Sequence, residues 1–144
     1  MEELEALRKL VEDHDYSAAL TLIDEMDEMA KDDKIVKVIS FLHVLLIHLI
    51  KRQVENRTSN SWERSINHSI RSIIHSNKRR SAGGNYLTNE ELTAAIEEGF
   101  NFSVREAAEE AFGGAFDSKK LAAMINAEAI KKEALDLILN YEDQ

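Results

Sequence analysis

The chain of 144 residues has no cysteine, no proline and only 5 glycines. Without cysteine there are no disulfides, no thiolate metal sites and no cysteine nucleophile. Proline breaks helices and an interior glycine costs a helix about 1 kcal/mol, so their scarcity leaves long helices unobstructed. Long apolar runs are missing too. The most apolar stretch, residues 38–50, contains Ser40, His43 and His48. It falls short of the roughly 20 apolar residues that cross a bilayer, so it reads as a buried central helix and not as a membrane span. The opening residues Glu2, Glu3 and Glu5 are unlike the basic-then-apolar start of a secretory leader, and the expected location is cytoplasmic.

What is present fits a globular chain. Apolar residues make up 44% and charged residues 31%, and the length suits a single domain over residues 1–144. Apolar positions recur at helical spacing almost throughout, and no useful stretch alternates as a strand does. The expected fold class is all-α: a helical bundle of roughly six to seven helices around a hydrophobic helix at about 33–55. A first helix over 2–13 carries Leu4, Leu7 and Val11. Asp15 caps a second helix with Tyr16, Ala19, Ile23 and Met26 on one face. Lys31-Asp32-Asp33 reads as a turn before the central helix. Asn60 with Glu63 has capping-box spacing and opens a helix that places Trp62, Ile66, Ile70 and Ile73 on one stripe and ends at Lys78-Arg79-Arg80.

Gly83-Gly84 marks a loop. Thr88 with Glu91 and Ser103 with Glu106 are two more capping-box pairs, with either a break near Asn101 or one continuous helix between them. Gly113-Gly114 ends that unit, and Asp117 or Ser118 caps a long last helix with Ile130, Ala134 and Tyr141 on its stripe. His14 to Leu20 resembles the start of a tetratricopeptide-type helix. The pattern does not recur at about 34 residues, which argues against a repeat array.

The third and fourth expected helices carry an ordered set of residues. Leu45-Leu46-Ile47-His48-Leu49-Ile50-Lys51 is followed by Ser61-Trp62, then Ile66 and Arg71. Upstream, Met29-Ala30-Lys31-Asp32-Asp33-Lys34 precedes the block. This arrangement resembles a mainly cyanobacterial family, domain-of-unknown-function family twenty-nine, over about residues 23–75. Arg52 stands where that family usually has an aromatic. The resemblance implies an all-helical fold and no particular activity.

The net charge of −9 is unevenly spread. Residues 1–50 hold 12 acidic and 5 basic residues, 51–80 hold 2 and 8, and 81–144 hold 13 and 5. The basic segment 51–80 therefore lies between two acidic ones. Lys51, Arg52, Arg57, Arg64, Arg71, Lys78, Arg79 and Arg80 are its cations, and as an exposed set they suit phosphate contacts. The acidic flanks oppose this, because packing beside them pairs the charges internally and leaves an outer field that repels nucleic acid.

His48 and Lys51 share a helix face, as do His68 and His75. With Arg71 they are candidates for a ligand pocket between the third and fourth helices. The plainer reading makes His48 a satisfied core histidine and Trp62 a core side chain. A metal centre needs three or four ligands with supporting partners, and no carboxylate has ligand spacing to these histidines, so neither metal nor cofactor is expected. Acid pairs such as Glu90-Glu91 and Glu109-Glu110 lie on amphipathic helices and do not single out a catalytic site.

The residues thus point first to a non-catalytic protein-interaction or assembly module that recognises a protein partner or itself. Nucleic-acid binding through 51–80 is the disfavoured alternative, and an unrecognised enzyme comes third.

Overall fold

A computed structural model describes residues 2–79 and 83–142. Its elements are α1 (Glu2–Glu12), α2 (Tyr16–Glu55), α3 (Asn60–Asn77), α4 (Asn89–Glu110), a 3-10 turn at Ala111–Gly114, α5 (Ser118–Met124) and α6 (Ala127–Leu139). The fold is all-α.

The chain divides into two compact units, Met1–Lys34 and Ile35–Gln144. In the first, the chain reverses at His14, which sits at φ 61°. There Asp15 Oδ1 accepts from the Ala18 N–H at 3.3 Å, the cap expected of it. None of the α1 side chains is buried.

The expected turn at 31–33 does not form. Tyr16–Glu55 is one 40-residue helix. The physical reason is that Lys31, Asp32 and Asp33 include neither glycine nor proline, and aspartate in a helix interior costs well under 1 kcal/mol. Polar residues in a helix interrupt its apolar stripe without interrupting its backbone.

In the second unit, the later part of α2 is the centre of the core. Val38, Leu42, Leu45, Leu46, Leu49 and Ile50 are all buried. They pack in one cluster with Ile66, Ile70 and Ile73 of α3, Ile96 and Phe100 of α4, Leu121 of α5 and Ile130 of α6. The helix is not enclosed on every side, since Val36, Ile39 and Val44 remain exposed. α3 returns antiparallel along it. Arg52 meets Glu63 at one end, and Val36 and Lys37 line the same groove as His75 and Lys78 at the other.

Side-chain caps fix the helix starts. Thr88 and Glu91 form the expected capping box, with both bonds at 3.1 Å. At α3 the cap is Ser59, whose Oγ accepts from the Trp62 N–H at 3.1 Å, and not Asn60. Glu63 is turned instead to Arg52 at 3.0 Å and Thr58 at 2.7 Å. These two hydrogen bonds, that from Thr58 first, hold its carboxyl below the usual range. The third capping-box pair does not act as one. Ser103 is buried inside α4, which continues through Asn101.

The long last helix is two. Asp117 caps α5 through the Lys120 N–H at 2.8 Å, and Asn126 then caps α6 through the Ala129 N–H at 3.1 Å. Between α4 and α5 the backbone reverses with Phe112, Gly113 and Gly114 all at positive φ. Glycine takes that conformation without strain.

Gly99 serves a different purpose, close approach of α4 to α2. A Cβ there stands 2.6 Å from His43 Nε2 and 3.0 Å from its Cδ2. His43 also packs on Phe102, with ring centroids 5.0 Å apart. Burial pushes the pKa of His43 down, against the pull of the Glu106 carboxylate. Gly99→Ala is therefore expected to lower stability by up to about 2 kcal/mol, the overpacking cost of about 1–3 kcal/mol less alanine's gain of about 1 kcal/mol in helix propensity. In the background of His43→Ala the same change becomes neutral or stabilising. A denaturant series on the four chains measures the coupling.

Candidate functional site

Between the later part of α2 and α3 lies an open groove of about 920 Å³. Val36, Phe41 and Ile74 give it an apolar floor. Lys37, His68, Arg71, His75 and Lys78 supply three cations and two imidazoles, and Ser40, Ser72, Ser76 and Tyr141 supply hydroxyls. No carboxylate lines it among the described residues.

The arrangement follows from helical spacing. His68, Arg71 and His75 recur every three or four residues on α3, and Lys37 and Phe41 are four apart on α2, so each set forms a ridge facing the other. His68 is seated edge-on against Phe41, with ring centroids 5.8 Å apart. Among the described residues, no ion pair is formed by Lys37, Arg71 or Lys78. Three uncompensated cations beside apolar surface make a site for an anion that also carries apolar groups.

The expected pocket residues separate into two places. His68, Arg71 and His75 come together in the groove. His48 does not join them: its Nδ1 lies 2.9 Å from the Val44 carbonyl of its own helix, and the ring is half-buried. Lys51 is also elsewhere. It is buried, with Nζ 3.5 Å from Glu110 and 4.7 Å from the centre of the Trp62 ring. The two sets face different neighbours because α3 runs along one side of α2 and α4 approaches another.

The basic segment divides in the same way. Its first part is engaged by the protein's own side chains, with Lys51 buried and Arg57 exposed. Arg52 bridges Glu63 and Glu133. Arg57 pairs with Glu55 at 3.1 Å and lies 4.4 Å from the Trp62 ring centre. Trp62, expected in the core, is thus half-buried with Lys51 and Arg57 against its ring. Cations over an indole face add about 0.5–1 kcal/mol at a partly exposed site. Arg64 is exposed and donates from Nε to the Asn60 carbonyl at 3.4 Å. Arg79 is folded back over Tyr86, 5.4 Å from its ring centre. Arg80 lies outside the described residues.

Sequence reasoning missed Lys37, Phe41 and Tyr141. The first two carry a usable signal, a cation and an aromatic four apart on a helix face. Tyr141 carries none, since it reaches the groove from the far end of the chain.

Among the described residues, no group of three or more histidine, aspartate or glutamate side chains is placed to hold a metal ion, and no helix is long and apolar enough to cross a membrane. No curated protein and no solved structure shows significant similarity to the chain. One family model does match, and it extends well beyond the block of residues around His48 and Trp62: it covers residues 2–124, from α1 through α5, and the chain belongs to that family, described as domain of unknown function DUF29.

Proposed function

We propose that the chain is a non-catalytic interaction module of a bacterial cytoplasm, and that it holds an acidic, amphipathic segment of a protein partner in the groove between α2 and α3. The observation that carries this reading is the lining. Three cations and two imidazoles surround an apolar floor with no carboxylate among them, on a chain whose net charge is −9. Attraction is thus concentrated on one face and repulsion spread over the rest, which favours register and specificity. The floor of Val36, Phe41 and Ile74 favours a helix with an apolar stripe, as in helix-in-groove recognition.

Nucleic acid is the second reading, because the same cations and hydroxyls suit phosphates. It is less favoured, since Lys51, Arg52 and Arg57 are engaged within the fold. Few cations then remain for phosphate contacts, on which nucleic-acid affinity depends.

Fluorescence anisotropy separates the two. An acidic amphipathic helical peptide and mixed DNA and RNA are titrated with the protein at low and at physiological salt. The peptide is expected to bind in the micromolar range, and Arg71→Glu with Lys78→Glu is expected to weaken it at least about tenfold. Binding of nucleic acid alone, steeply salt-dependent and lost in the same variant, transfers the groove to the second reading. Binding of neither probe rejects the groove as an anion site.

A further inference from the structure

Resting on that reading of the groove, we infer that its occupant is a second copy of this chain, which supplies the acidic helical face of its residues 2–34. Two independent features of that segment match the groove. The first is charge. Residues 2–34 hold 12 acidic and 4 basic residues, net −8, opposite to the cations Lys37, Arg71 and Lys78. The second is apolar surface left in water. Tyr16, Leu20, Ile23 and Met29 are between 44% and 62% exposed, and Ala19 is the one buried hydrophobic residue among those described in this unit.

A helical pair this small is far below the size at which a chain buries enough surface to be stable by itself, and exposed apolar groups of this number mark an interaction surface. On α2, Leu20 and Asp24 are four apart, as are Asp24 and Glu28, and Ile23 lies beside them. Ile23 is three residues from Leu20, so apolar and acidic groups adjoin on one broad face. That face meets both requirements of the groove, an apolar stripe for its floor and carboxylates for its rim.

A two-fold dimer uses the match twice. Each groove receives the acidic face of the other copy, so both grooves are filled and the assembly closes without leaving a free surface to extend. A partner unrelated to the chain fills the groove but leaves residues 2–34 uncovered.

Sedimentation equilibrium of the full-length chain tests this. The wild type is expected to pass from the 16.4 kDa chain mass to twice that mass as concentration rises, and to dissociate more readily at high salt. Two variants reverse one surface each: Arg71→Glu with Lys78→Glu in the groove, and Asp24→Lys with Glu28→Lys in the acidic face. Each alone is expected to weaken the dimer at least about tenfold. Mixed in equal amounts they are complementary at both contacts and regain a dimer, which a misfolded variant cannot do. A wild type that stays monomeric overturns the inference, and so does a dimer indifferent to both reversals or two variants that do not recover on mixing. A monomer that still binds the acidic peptide keeps the groove and loses only its assignment to a second copy.

Discussion

Replacing Leu46 with alanine is expected to lower unfolding free energy by about 2–5 kcal/mol, the range for truncating a fully enclosed leucine. Leu46 is 0% exposed and belongs to the cluster that joins α2 to α3, α4, α5 and α6. Interiors of this kind are close-packed, so the surroundings relax only partly into the space that truncation leaves. Domains of this size are stable by about 5–15 kcal/mol, so the loss is a large share of the whole. Val44 lies two positions earlier on the same helix but is 37% exposed, and Val44→Ala is expected to change stability by no more than about 0.5 kcal/mol. Urea titrations of the two variants compare the faces directly, with a shift in midpoint and an unchanged slope as the sign that only the native core is affected.

The second large effect is expected at Asn77. Its side chain is buried at the end of α3. Its Nδ2 donates to the Leu87 carbonyl at 3.1 Å, and its Oδ1 accepts from the Leu87 N–H at 2.8 Å. The backbone carbonyl of Asn77 also accepts from the Tyr86 N–H at 2.8 Å. One amide thus satisfies both polar groups of a buried residue across the loop and fixes where α4 begins. Asn77→Ala leaves both groups unpaired and is expected to cost about 2–6 kcal/mol, since each buried unsatisfied group costs about 1–3 kcal/mol. Asn77→Asp keeps the acceptor but sets a carboxylate against the Leu87 carbonyl. Its expected cost is of similar size at neutral pH and smaller in acid, where the protonated carboxyl donates as the amide does. Denaturation of the three chains at both pH values checks the sign. Because Lys78 follows directly, the two variants are also expected to disturb the rim of the groove.

Much of this architecture is legible in the sequence. The all-α class follows from helical spacing and from the lack of proline, and the loop at Gly83-Gly84 and the box at Thr88 and Glu91 stand where local chemistry places them. The errors share a cause. At residues 31–33 a polar cluster resembles a turn, yet nothing in it breaks a helix. At residues 124–126 an actual break is made by the Asn126 cap, which sequence spacing does not distinguish from a solvent-facing asparagine. Ser59 and Asn60 are both good caps, and side-chain chemistry alone does not choose between them.

The candidate site is legible in part for the same reason. His68, Arg71 and His75 share a face of one helix, a local property, and meet in the groove. His48 and Lys51 share a face of another helix but look toward other neighbours, which depends on how helices cross. The roles of Lys51 and Arg52 as internal ion-pair partners rest on Glu110 and Glu133, and separations along the chain of 59 and 81 residues are beyond any local rule.

The groove as the binding surface is tested most directly by mapping backbone amide chemical shifts while the acidic amphipathic peptide is added to the wild-type chain. Changes are predicted to centre on residues 36–41 and 68–78 and on Tyr141, accompanied by residues 16–29 where the peptide displaces a second copy, with the far side of α4 unaffected, and to be lost in the Arg71→Glu, Lys78→Glu variant. Saturable changes centred on any other face, or changes in the groove that survive reversal of its charge, contradict it.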